Sequence, residues 1–274
     1  MRLTVALPLA LAVVVFLRGT WRLRTARRTG VGAGRLLAGA VGFAALGFAL
    51  SDAVHAAAHE LFVAHMGQHL LLVSIAAPAL LLADPFAITL WSMPATWRRA
   101  VGAGFRRGRP IRRALDAVTR PHITWPVYVV VLWLWHLPGA YDAALRSGPL
   151  HDIEHLLFFG AALLFWWPVL RPAPYLSASP HPAVRVVYLV LGAIQSAALG
   201  LLLASRPEAV YAAYTTTSPA WGLTGAEDQV WGGVLMWTVG AAVDMAAVIV
   251  VIGRALEVPA FLDRSRPVRE NWRA

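Results

Sequence analysis

Three pairs of histidines with four-residue spacing mark this sequence: His55 and His59, His65 and His69, His151 and His155. On a helix that spacing stacks both rings on one face, one turn apart. Two such imidazoles can ligate one metal ion, which is why H-x-x-x-H recurs in metal sites. His136, in WLWHLPGAYD, adds a further ring. Met66 and Met236 could supply thioether ligands, although a single methionine is more often plain packing. Asp152, Glu154, Glu227 and Asp228 could orient the rings as acceptors, or ligate themselves. The chain has no cysteine, which excludes disulfides, thiolate metal sites and a cysteine nucleophile.

The elements that must carry these residues are apolar. Of 274 residues, 58% are hydrophobic and 14% charged, and the mean hydropathy is +0.61. This is the composition of an all-α, polytopic membrane protein. Apolar runs predict seven transmembrane helices near residues 3–17, 36–58, 61–83, 123–137, 150–170, 183–204 and 230–252. The third, LFVAHMGQHLLLVSIAAPALLLADP, opens with His65 and His69. Between the third and fourth lies a basic loop, residues 84–121, within which Trp97 to Val118 reads as a solvated segment or a short helix lying on lipid headgroups. Residues 254–274 form a basic tail.

All 24 basic residues are arginine, giving a formal net charge of +10. In a water-soluble chain this would suggest nucleic acid, but topology accounts for it without one. Six arginines follow the first run, eight the third, two flank the loop after the fifth and five lie in the tail, so that 21 share one side; only Arg2, Arg146 and Arg206 lie on the other. The positive-inside rule then orients the chain N-out and C-in. Trp91, Trp97, Trp125, Trp166 and Trp167 are expected at the inner interface, and Trp133, Trp135, Trp221 and Trp231 at the outer one. His65, His69, His136, His151 and His155 come from three helices and all fall near the outer side. A shared metal is therefore expected there, in a shallow cluster with no deep substrate chamber. Imidazole and thioether facing an oxidising compartment suit copper, with zinc or haem iron next. Asp244 lies deeper, where a carboxylate is costly unless paired or protonated; it reads equally as a packing lock or a functional group.

Four stretches, LFVAHMGQHLLLVSIAAPALLLADP, LWHLPGAYDAAL, HDIEHLLFFGAALLFWWPV and WGLTGAEDQVWGGVLMW, resemble in order the blocks of the CtaG family of bacterial cytochrome c oxidase assembly proteins. The resemblance runs from about Leu36 to Ile252. It implies a plasma-membrane assembly factor for caa-type oxidase that binds copper and delivers it, with oxidase subunits and extracytoplasmic copper donors as partners. Carried over by position, it marks His65, Met66, His69, His136, Pro138, Tyr141, His155, Asp228, Gln229, Gly233, Met236 and Trp237, with His151 at a position often histidine. His55 and His59 fall outside the blocks. The metal set expected is thus His65, His69, His136, His151, His155, Met66, Asp228 and Met236, in a protein that is not an enzyme. The alternatives are a histidine-box membrane hydroxylase or hydrolase, or a haem-binding membrane protein.

Overall fold

The computed structural model describes residues 3–26, 31–106, 108–176, 179–215 and 221–264. Among these, every regular element is helical. Arg2, Arg27, Arg28, Arg107 and the tail beyond residue 264 lie outside the described residues.

Five helices are long and apolar enough to cross a membrane, over Ala6–Thr25, Phe62–Leu82, Gly148–Leu170, Pro182–Ala204 and Gly225–Glu257. Two bent pairs would raise the number to seven. The chain is a multi-pass membrane protein, and its outward-facing apolar side chains agree: Leu7, Val130, Leu156 and Ile249 are each more than 60% exposed.

The first helix, α1 (Leu3–Thr25), is longer than the apolar run, because Arg18, Arg22 and Arg24 continue it. The next expected span is broken into α2 (Ala33–Ala49) and α3 (Asp52–Glu60), bent by 52°. Ser51 starts the new helix by accepting from the Val54 N–H at 3.4 Å, as an N-cap serine does.

The third span contains α4 (Phe62–Leu70), a π-helical segment (Leu71–Ala76) and α5 (Ala77–Leu82). Pro78 explains the wide turn. In the i→i+5 pattern, seen where the Ala77 N–H reaches the Leu72 carbonyl, the Val73 carbonyl would meet residue 78, which has no N–H. Trp166 supplies the missing donor, its Nε1 lying 3.0 Å from that carbonyl.

The expected basic loop is folded into α6 (Pro85–Ser92), α7 (Ala95–Gly104) and α8 (Pro110–Val118). Guanidinium groups hold this region down. Arg22 donates to the Ser92 and Met93 carbonyls, and Arg112 to those of Phe105, Pro174 and Tyr175.

The fourth span pairs α9 (Pro121–Trp135) with α10 (Pro138–Arg146) across a 72° bend. Leu137 is extended because a proline follows it, and Pro138 fits the first turn of the new helix. Then come α11 (Gly148–Leu170), α12 (Pro182–Ala204) and α13 (Gly225–Arg264). α12 and α13 form the most extensive helix contact. Its closest approach is at two glycines: a Cβ on Gly233 would lie 2.4 Å from the Gly200 carbonyl oxygen.

Two of the tryptophans expected at interfaces are core residues. Trp166 is 3% exposed and Trp135 7%, whereas Trp97, Trp221 and Trp231 exceed 50%.

Candidate metal centre

The histidine pairs of α4 and α11 face each other. His65 and His69 are one turn apart on α4, His151 and His155 one turn apart on α11, and one ring nitrogen from each lies within 4.8 Å of all the others. His65 Nε2 is 3.0 Å from His69 Nε2 and 3.2 Å from His151 Nε2. Two nitrogens on one tetrahedral ion, each bonded at about 2.05 Å, sit about 3.3 Å apart. These rings therefore already have the spacing of shared ligands.

Two tyrosine hydroxyls meet His65 at Nδ1. Tyr214 donates its hydroxyl proton to the Ala58 carbonyl at 2.6 Å. Towards His65 Nδ1, 3.2 Å away, it can then only accept. With the His65 proton on Nδ1, the Nε2 lone pair would point into the cluster. Tyr141 lies 2.7 Å from the same Nδ1. This is the outer partner a ligating imidazole requires.

Glu154 lies on the same face as His151, one turn on. It is fully buried, its two oxygens are 3.8 Å from His69 Nε2 and His151 Nε2, and neither has a hydrogen-bond partner. A buried carboxylate in that position is expensive unless a cation or proton compensates it. A metal among these rings would supply the compensation, so the residues present fit a bound cation.

The cluster is not shallow. His65, His69, His151 and His155 are 0, 5, 1 and 7% exposed. An aromatic lid covers it, in which Tyr211 stacks on Tyr141 at 3.9 Å between ring centroids and on Phe62 at 5.2 Å. Tyr211 and Tyr214 belong to the segment between α12 and α13 and close over what the sequence reads as a shallow cluster. Single tyrosines in an irregular segment carry no periodicity that would have marked them. Glu154 did have a signal, the three-residue step from His151 in HDIEH.

Other expected ligands lie around the four-histidine set. His136 donates from Nδ1 to the Leu132 carbonyl at 2.7 Å, and its buried Nε2 has no partner. It lines a cavity of about 40 Å³ beneath the cluster, together with His69, Met66 and Met236 and, further down, Tyr128, Ser196 and Asp244. That volume admits only a few waters. Asp228 is engaged elsewhere: Oδ2 accepts from the Phe62 N–H at 2.6 Å and Oδ1 from the Val63 N–H at 2.9 Å. It caps the N-terminus of α4 from α13, using charge-assisted bonds at the positive end of the helix dipole. Gln229 beside it holds the lid segment, accepting from the Val210 N–H and donating to the Leu203 carbonyl.

Two relatives, uncharacterized proteins of Mycobacterium bovis and Mycobacterium tuberculosis, are each 25% identical over 208 residues, which is 75% of this chain and 31% of theirs. The chain thus spans about a third of the length of the curated relatives it matches. No solved structure matches it. Residues 14–257, which include both histidine-bearing helices, the bent α9–α10 pair and the capping Asp228, match the profile of the cytochrome c oxidase caa3 assembly factor, and the chain belongs to that Caa3_CtaG family.

Proposed function

We propose that the protein is a copper-holding assembly factor of the bacterial plasma membrane, receiving copper from extracytoplasmic donors and passing it to cytochrome c oxidase subunits. The observation that carries this reading is the set of four buried imidazoles, pre-spaced for a shared ion, beside a buried carboxylate with no hydrogen-bond partner. The family supplies the destination. Seven spans, N-out and C-in, would put the cluster on the exterior side, as the 21-to-3 arginine distribution supports.

Copper is cargo in this scheme, and the protein is not an enzyme. A hydrolase or hydroxylase acting on an organic substrate would need a chamber beside the metal with polar groups to orient that substrate; the cavity beneath the cluster has room for only a few waters, and the larger one of about 320 Å³ beside His155 is lined, apart from Asp152 and His155, by apolar side chains. Imidazole ligands with Met66 and Met236 at the lower edge, and no thiolate, suit copper over zinc or haem iron.

Metal analysis of the purified protein tests this. Copper should co-purify, or be taken up tightly, by the wild-type protein and not by His69→Ala/His155→Ala. A wild-type protein that binds no copper, or one that prefers zinc under competition, would overturn it.

A further inference from the structure

A buried centre raises the question of how an ion reaches it, and α3 supplies the residues for an answer. His55 and His59 point from α3 toward α11. The ring centroid of His151 is 5.1 Å from that of His55 and 5.7 Å from that of His59, and His55 and His59 are 4.6 Å apart. One ligand nitrogen from each of the three lies within 4.8 Å of the others. Exposure falls along the series: His59 is exposed, His55 half-buried and His151 buried. His151 is also a member of the four-histidine set, through Nε2.

Building on the reading of the buried set as a copper centre, we infer that His55, His59 and His151 form a second, surface-facing copper site that loads the buried one, with His151 as the ligand common to both. A hydrated ion cannot pass the lid of Tyr141, Tyr211 and Tyr214 without shedding water, which is costly in the apolar interior. At the outer site imidazoles replace that water one at a time. Three ligands, one of them at the surface, leave a position for a donor protein's own ligand, and this makes the site exchangeable. Because His151 belongs to both sets, an ion that leaves His55 and His59 is already beside His65, His69 and His155. The step is ligand exchange: bonds to two imidazoles break as bonds to others form, and a cuprous ion remains cuprous.

The test uses the full chain in lipid nanodiscs, with cuprous ion presented by a chromogenic chelator whose colour follows transfer. His55→Ala/His59→Ala should reach the wild-type content of tightly held copper, but load roughly tenfold or more slowly. His55→Gln/His59→Gln, which keeps polarity without a ring, should behave alike. His69→Ala/His155→Ala should keep a weaker ion that disappears when His55 and His59 are also replaced. Unchanged loading in both outer variants overturns the loading site while leaving the buried centre intact, as does the absence of that weaker ion. Loss of the tight ion in the outer variants would make His55 and His59 part of one centre and overturn the two-site arrangement. No tight ion in the wild type would instead defeat the buried centre itself.

Discussion

The hydroxyl of Tyr214 lies 3.2 Å from His65 Nδ1 while donating its own proton to the Ala58 carbonyl, so one group ties the lid to a candidate ligand. Tyr214→Phe keeps the ring and removes that acceptor. Copper affinity should fall about tenfold, since Tyr141 still contacts the same nitrogen. Chelator competition measures this, and unchanged affinity would detach Tyr214 from the centre.

Glu154→Gln should act in opposite directions on stability and on binding. Without metal, replacing a buried carboxylate that has no hydrogen-bond partner with a neutral side chain of similar volume should stabilise the fold, by about 1–4 kcal/mol. With metal, loss of a charge about 5 Å from the ion should cost about 3 kcal/mol, roughly a hundredfold in affinity, at an effective dielectric constant of 20. Thermal unfolding of the metal-free and loaded protein reads both. A variant less stable without metal would show that Glu154 is compensated in another way.

Asp228→Asn tests the cap. One of two charge-assisted acceptors at Phe62 and Val63 is lost, and stability should drop by about 1–2 kcal/mol. Copper stoichiometry should stay at the wild-type value, because both oxygens of Asp228 face backbone amides. Loss of copper from an otherwise folded variant would return Asp228 to the ligand set.

Gly233→Ala places a methyl 2.4 Å from the Gly200 carbonyl oxygen, where only backbone can give way. α12 and α13 must then separate, at about 1–3 kcal/mol. Gly240→Ala on the same helix meets nothing within 4 Å and serves as the neutral control. Equal unfolding midpoints for the two would show that the helices are not in backbone contact at Gly233.

Topology is checked with reporters fused after Gly104, Ser147 and Ala274. Seven spans predict cytoplasmic activity for the first and third and exterior activity for the second. If both bent pairs were re-entrant, the segment carrying Gly104 would change sides, so that fusion separates five spans from seven.

The four central histidines were legible because two H-x-x-x-H pairs need only helical periodicity to be placed on two faces, and the arginine asymmetry brought those faces to one end. Their depth was not. Burial of His65 depends on Tyr214, which contacts it, and on Tyr211, which stacks on Tyr141, both from a segment with no hydrophobic period, and on a fold-back that no local pattern encodes. The same holds for Asp228: an acid near a helix start reads as a cap for its own helix, yet it caps α4. The breaks at Ser51 and Leu137 were hidden because an apolar run does not register a change of axis. The wide turn at Leu71–Ala76 had one visible sign, Pro78, but a proline within a span equally predicts a kink.

The cap on Phe62 comes from a residue 166 positions later in the chain. During synthesis the helix bearing His65 and His69 is made first, and its leading amides have no acceptor until the last span arrives. Tyr211, Tyr214 and Gln229 are also made after both histidine pairs. The centre is therefore completed only once α13 has been made, which makes metal retention depend on a helix that carries none of the histidines. A chain ended after Ala204 should contain all nine histidines and yet hold no copper tightly; tight binding by that fragment would show that the last helix is dispensable to the centre.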